Sequence, residues 1–270
     1  MNERCPPMDM MAAGSVRVVL PAYKAARTLQ ATVESIPEPL RAGVLLVDDA
    51  SPDGTVEQAR ALGLKVRVHS KNRGYGGNQK TCYAWALEEG AIYIVMLHPD
   101  NQYEGDRIPA LLEPLQRGEA DIVLGSRFLG RDPRDAGMPG WRYRGNRALT
   151  TLENQVFGLN LTEYHTGMRA FRASALRRLK LERNSEGFLF DQEILAQAVA
   201  AGLRIVEVPV GCRYEADSSS ISLGRSMEYG LRTLALLGRY EVWRVLGRRG
   251  GPLEPEGPAR ADPDGTVELS

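Results

Sequence analysis

Short apolar runs alternate along this chain with stretches of helical periodicity. Val16 to Leu20, Val44 to Val47, Ile92 to Leu97, Ile122 to Leu124 and Ile205 to Val210 are too short for helix cores. Each reads as a strand, Ile92 to Leu97 as one buried on both faces and Ile205 to Val210 as a buried one, with Lys65 to His69 a further, more polar one. Between them, Leu29, Val33 and Ile36, then Val56, Ala59 and Leu62, then Cys82, Trp85, Ala86 and Leu87 fall on single helical faces. Ile108 to Leu115, and Ile194 with Ala198 and Val199, predict two more helices. Ser51, Asp53 or Thr55 is placed to cap the helix after the second strand. The order predicts an α/β chain with a mostly parallel sheet flanked by helices. A last helical pattern runs from Leu223 to Leu246, with Met227, Leu231, Leu234 and Leu237 apolar and Arg225, Arg232, Arg239 and Arg244 interspersed.

Composition narrows the class. At 270 residues, 43% hydrophobic and 25% charged, the chain can bury one large core. We expect one domain over residues 16–247, an unstructured leader over 1–15, and an unstructured tail over 248–270, where Gly, Pro, Glu and Asp dominate. Lys plus Arg and Asp plus Glu both number 34, which argues against a nucleic-acid partner. Cys5, Cys82 and Cys212 are odd in number and far apart, against a disulfide framework or zinc cluster and in favour of a reducing, cytoplasmic setting. No window approaches the roughly 18 uninterrupted apolar residues of a spanning helix. The first strand turns through Pro21-Ala22-Tyr23 with no glycine, which argues against a nicotinamide or flavin site of the G-x-G-x-x-G kind.

Candidate chemistry gathers where strands end, the ligand side of an open parallel sheet. His98 and Asp100 stand two residues apart, an oxygen and a nitrogen ligand able to hold a divalent cation and through it a diphosphate; an ordinary turn containing an Asp is the plain alternative. The adjacent carboxylates Asp48 and Asp49 need a polar or cationic partner to offset their repulsion. Asn72 to Lys80, including Gly74 and leading into a helix near Gly77, is either a phosphate or sugar cradle or a flexible loop. Arg127, after a strand, is suited to fork onto a phosphate or to sit in a surface ion pair. The loop 128–145 reads as a lid or as a plain surface connection. Asp191 serves as a base or simply as a good helix N-terminal residue.

Val18-Val19-Leu20-Pro21-Ala22-Tyr23, Val47-Asp48-Asp49-Ala50-Ser51-Pro52-Asp53-Gly54-Thr55, Asn72-Arg73-Gly74 and His98-Pro99-Asp100 occur in the order and spacing of the family 2 glycosyltransferases. The chain most resembles their polyprenyl (dolichyl) phosphate hexosyltransferase branch, from residue 16 to about 245. The resemblance implies the GT-A fold and transfer of a sugar, with inversion, from a nucleotide-sugar donor with the help of Mg²⁺ or Mn²⁺. It implies donor contacts at Pro21, Ala22, Tyr23, Asp48, Asp49, Gly74 and Lys80, and metal contacts at Asp100, Gln102 and His98. His98 replaces the Asp usual in the family, and the lost charge disfavours Mg²⁺ relative to Mn²⁺. The resemblance further implies acceptor contacts at Arg127, Arg147, Arg169 and Arg213, with Asp100, Asp191 and Arg127 in the catalytic machinery. Glu163 stands where relatives more often carry Asp.

A lipid phosphate arrives ionised and needs no general base, whereas a hydroxyl of a small-molecule acceptor needs a carboxylate, Asp191 first and Glu163 second. The Arg-bearing C-terminal helix either lies in a membrane interface, giving a peripheral contact at the inner face, or covers the sheet. A sugar-nucleotide-binding module without catalysis is the non-enzyme alternative. A nucleotidyltransferase lacks its Gly- and Arg-rich signature at the first turn.

Overall fold

The computed structural model describes residues 14–130, 132–213 and 223–246. The expected leader up to residue 13 and the tail from 248 lie outside the described residues. Seven strands form one sheet in the order β3-β2-β1-β4-β6-β5-β7. They are β1 (Val16–Ala22), β2 (Val44–Asp48), β3 (Lys65–Val68), β4 (Tyr93–Met96), β5 (Ile122–Ser126), β6 (Arg169–Arg172) and β7 (Ile205–Pro209). All pairings are parallel except those of β6, which runs antiparallel to both β4 and β5. The mostly parallel sheet flanked by helices is the architecture expected from the sequence.

The helices are α1 (Leu29–Ser35), α2 (Glu38–Arg41), α3 (Thr55–Ala61), α4 (Gly74–Glu88), α5 (Ile108–Gln116), α6 (Gly140–Phe157), α7 (Ala173–Leu176), α8 (Phe190–Ala200) and α9 (Leu223–Val245). Period-two alternation splits the buried strands between two layers. Val19, Leu45, Val47, Ile94 and Met96 face α4, α8 and the buried side of α9. Val18, Leu20, Leu46, Val95 and Leu97 face α1 and α5. The edge strand β3 is blunted by charge, with Lys65 paired to Glu89 and Arg67 to Glu88.

Three local expectations change. The strand β6 was not legible in Arg169-Ala170-Phe171-Arg172, because it is specified by neighbours on both sides: Ala170 pairs with Val95 and with Val123. The helix α4 starts at Gly74, not near Gly77. Only the first part of 128–145 is a connection, since α6 begins at Gly140 and carries Trp141 to Arg147 in its first turns. Pro139, Gly140 and Gly145 read locally as breakers, but Pro139 precedes the first helical residue and costs the helix nothing there.

The sheet order reverses between β1 and β4. Helices therefore leave their carboxyl ends in opposite directions, which opens a cleft above Ala22, Asp48 and Met96. At the other side α9 buries Leu236, Leu237, Tyr240 and Trp243 while leaving Met227, Leu231, Val242 and Val245 more than half exposed.

Candidate active site

Backbone strain marks the cleft. Among the described residues, the non-glycine positions with positive φ are Lys24 (55°), Ala50 (57°) and Asn101 (57°), one beyond each of β1, β2 and β4. For Ala50 in particular this costs energy that the surroundings must hold in place. Bonds between the first two turns do so. Ser51 Oγ accepts the Lys24 N–H at 2.9 Å, Thr55 Oγ1 the Ala25 N–H at 2.9 Å, and Asp53 Oδ2 the Ala26 N–H at 3.3 Å. These side chains thus lock the turns together, and Asp53 Oδ1 also accepts the N–H of Thr55, the first residue of α3, at 3.2 Å, while the N-cap position itself is Gly54. Pro21 and Ala22 are buried beneath the cleft, and Tyr23 is 49% exposed at its wall.

The carboxylate pair divides its work. Asp49 Oδ1 accepts from His69 Nδ1 at 2.7 Å and the Arg73 N–H at 2.8 Å, and its Oδ2 from the Gly74 N–H at 2.9 Å. Asp49 is therefore the internal anchor of the α4 N-terminus, with an acidic group where the helix dipole favours one. Asp48 Oδ2 accepts the Ser51 N–H at 2.8 Å, while its buried Oδ1 has no hydrogen-bond partner among the described residues. An orphaned carboxylate oxygen at the floor of a cleft calls for a ligand donor.

The expected phosphate cradle is filled by protein. The Gly76 and Gly77 N–H groups donate to the Glu186 carbonyl at 2.7 and 3.3 Å. A Cβ on Gly74, at φ +83°, would meet the same oxygen at 2.8 Å. Lys80 Nζ donates to the Asn184 carbonyl and to Glu186 Oε1, both at 2.6 Å. The Lys80 ammonium, expected on the donor side of the cradle, pins α4 to the segment before α8.

At the end of β4, His98 Nε2 lies 3.0 Å from the Tyr75 hydroxyl, which donates to Asp191 Oδ2 at 2.7 Å. Because the carboxylate only accepts, the Tyr75 proton points to Asp191 and His98 Nε2 must be the donor, leaving the lone pair on Nδ1. Gly167 makes room for this ring, since a Cβ there would meet His98 Cδ2 at 2.7 Å. Asp100 Oδ1 accepts the Gln102 N–H at 3.0 Å. Asp191 Oδ1 accepts from Gln79 at 3.1 Å and lies 3.6 Å from Arg169. Arg169 itself is 1% exposed, and its three nitrogens donate to the carbonyls of Thr166, Asp191 and Tyr164, each at 3.0 Å. Its guanidinium thus holds three backbone carbonyls while also bordering the pocket beside Asp191. Behind Tyr75 opens a pocket of about 140 Å³, lined by Tyr75, Phe188, His165, Tyr229 and Asp191 among others.

Arg127 is not a lone cation either. Its backbone N–H and its Nε reach Glu163 at 2.9 and 3.0 Å, its Nη2 also bonds that carboxylate, and Asn146 adds a bond at 2.9 Å. Burial alone would raise the Glu163 pKa, but the Arg127 charge and its hydrogen bonds more than offset this and hold it below the usual value. Glu163 is thereby a poor proton acceptor. Arg147 donates to the Thr162 carbonyl at 3.1 Å from an exposed position, and Arg213, 58% exposed, contacts Glu104 at 3.2 Å.

Among the described residues no group of three or more His, Cys, Asp or Glu could close around a metal ion. The donor set at β4 fits a cation that the protein holds by few ligands and a substrate's phosphates complete. Its His98 tautomer, fixed through Tyr75, is the one a ligating Nδ1 requires. Tyr75, His165, Gln192 and Tyr229 were not singled out from sequence. Only Tyr75, an aromatic embedded in Gly74-Tyr75-Gly76-Gly77, carried a local signal.

Residues 17–180 match the family profile described as Glycosyl transferase family 2. An undecaprenyl-phosphate mannosyltransferase of Micrococcus luteus is 33% identical over 205 residues, 72% of this chain and 82% of that protein. A polyprenol monophosphomannose synthase of Mycolicibacterium smegmatis is 27% identical, covering 86% of this chain and 87% of its own. The fold is shared with glucosyl-3-phosphoglycerate synthase of Mycobacterium tuberculosis, solved with Mn²⁺, uridine diphosphate and phosphoglyceric acid. That match has a TM-score of 0.65 at 19% identity, over 88% of this chain and 84% of that one.

Proposed function

The chain belongs to glycosyl transferase family 2, and on that premise we propose that it moves a hexose, with inversion, from a nucleoside-diphosphate sugar to a polyprenyl phosphate. The observation that carries the choice of acceptor is the engagement of Asp191. Both its oxygens already accept hydrogen bonds, from Tyr75 and Gln79, and Arg169 stands beside it. Glu163, the other candidate, is held ionised by Arg127. A hydroxyl nucleophile would have to give its proton to one of them, whereas a phosphate attacks already ionised. The names of the Micrococcus and Mycolicibacterium relatives support the same acceptor.

The base and ribose lie along Tyr23 and above Asp48, whose orphaned oxygen accepts a ligand N–H or hydroxyl. Asp100, with His98 and Gln102, would hold Mg²⁺ or Mn²⁺ for the diphosphate. The ion, when bound, offsets the charge that grows on the leaving diphosphate. Arg147 and Arg213, exposed near the cleft, meet the acceptor phosphate, and Arg127 orders that side through Glu163. No helix among the described residues is long and apolar enough to cross a membrane. The exposed apolar residues of α9, interspersed with Arg232, Arg239 and Arg244, give a peripheral membrane contact through which a lipid substrate is collected. A panel of nucleotide sugars incubated with Mn²⁺, with and without polyprenyl phosphate, tests the reading. One donor should be consumed only when the lipid phosphate is present, and consumption of none would overturn it.

A further inference from the structure

The pocket behind Tyr75 is bordered by a chain of polar groups that the reading above does not use. Glu153, on α6, is wholly buried, and among the described residues neither its oxygens nor His165 Nε2, its ion-pair neighbour 3.1 Å away, has a hydrogen-bond partner. The other ring nitrogen of His165, Nδ1, lies 2.8 Å from the hydroxyl of Tyr229. Gln192 Nε2 lies 2.7 Å from that same hydroxyl, 3.0 Å from His165 Nδ1 and 3.3 Å from the Tyr164 carbonyl. A carbonyl only accepts, so the amide nitrogen is correctly placed there and donates to Tyr229 as well. Three elements, α6, α8 and α9, thus converge to fix one phenol oxygen at the pocket wall.

We propose that Tyr229, held by His165 and Glu153, reads a hydroxyl of the donor hexose and helps to set which sugar the enzyme accepts. The inference rests on the transferase reading. Position argues first: a diphosphate at His98 and Asp100 places its attached sugar beside Tyr75, whose hydroxyl bonds His98 and whose ring faces Phe188 at 4.8 Å. Two aromatic rings at the mouth suit the C–H face of a pyranose.

Charge argues second. The Arg169 charge is offset by Asp191, and the carboxylate of Glu153 stands behind His165, so the pocket offers no net positive charge to an anion. Hydrogen-bond direction argues third: the Tyr229 hydroxyl takes a hydrogen bond from Gln192 Nε2 and lies against His165 Nδ1, and because it both donates and accepts it matches a sugar hydroxyl, which does the same, better than a phosphate oxygen, which only accepts.

Tyr229→Phe keeps the ring and removes the reading group. The test measures kcat/KM for GDP-mannose and UDP-glucose, and for the analogues of whichever is used that lack one ring hydroxyl at a time, with binding of GDP or UDP as control. Wild type should reject one deoxy analogue by about tenfold or more. Tyr229→Phe should bring the parent sugar down to the level of that analogue, leave the analogue itself unchanged, and keep nucleotide affinity. His165→Gln should weaken the same preference through misplacement of Tyr229. An unaltered preference in Tyr229→Phe, or a wild type indifferent to every deletion, overturns the inference alone. Failure of the wild type to bind either nucleoside diphosphate overturns the transferase reading instead.

Discussion

Tyr75 donates its hydroxyl proton to Asp191 Oδ2 across 2.7 Å, joining the N-terminal turns of α4 and α8 under the cleft. Asp191 is in this arrangement an acceptor for protein donors and the counter-ion of Arg169. Asp191→Asn would set an amide N–H₂ against one of those donors. We expect a stability loss of about 1–3 kcal/mol in urea denaturation. Turnover of the folded variant should fall by much less than the factor of roughly 100 to 10,000 that loss of a general base produces. A drop of that size with donor affinity intact would make Asp191 the base and the acceptor an alcohol.

The same hydroxyl fixes His98 with its lone pair on Nδ1. Tyr75→Phe should therefore weaken Mn²⁺-supported binding of a nucleoside diphosphate by about 10- to 100-fold, the usual effect of removing a group that orients a ligand. Binding measured without metal should change little. Asp100→Asn should abolish the metal-dependent part, and excess chelator should stop transfer. Restoring a second charge with His98→Asp should shift the preference towards Mg²⁺. Titration calorimetry with and without the ion separates these outcomes.

Glu163 is fully buried, with Arg127 as its cation. Glu163→Gln leaves that guanidinium buried and uncompensated, at a cost of about 3–5 kcal/mol. Because the pKa is lowered on folding, the stabilisation is fully present above the ordinary carboxylate value of 4.5 and is lost as pH falls through the lower folded-state value. Thermal unfolding measured from neutral pH down into the acid range should show wild type losing more stability than Glu163→Gln. Parallel curves would remove this pair from the acid sensitivity of the fold.

Asp48 offers the opposite signature. Its Oδ1 is buried with no hydrogen-bond partner among the described residues, so Asp48→Ala removes an unsatisfied group along with the Ser51 turn bond. The two effects oppose, and the melting temperature should move little. Nucleotide affinity should fall by about tenfold or more if that oxygen serves the ligand. A stability loss with affinity unchanged would make Asp48 purely structural.

Sequence pattern revealed the sheet because parallel strands buried on both faces leave unbroken apolar runs such as Val44 to Val47. It located the cleft because ligand groups follow strand ends, and Asp48, His98 and Asp100 do so. It did not reveal β6, whose identity comes from flanking strands, nor the partners of Arg127, Arg169 and Lys80. An arginine reads the same in sequence whether it awaits a phosphate or closes a buried pair. Glu153 and Tyr229 are 76 residues apart and meet only through His165. Contacts of that kind belong to packing and carry no local period.

Transfer of radiolabelled hexose from the preferred nucleotide sugar, with Mn²⁺ and vesicles carrying either polyprenyl phosphate or the matching unphosphorylated polyprenol, tests the central claim most directly. Label should enter the lipid fraction with the phosphate and almost none should with the alcohol, because Asp191 and Glu163 are already engaged by protein donors and cations. Comparable labelling of the alcohol, or transfer only to a soluble hydroxyl acceptor, would contradict it.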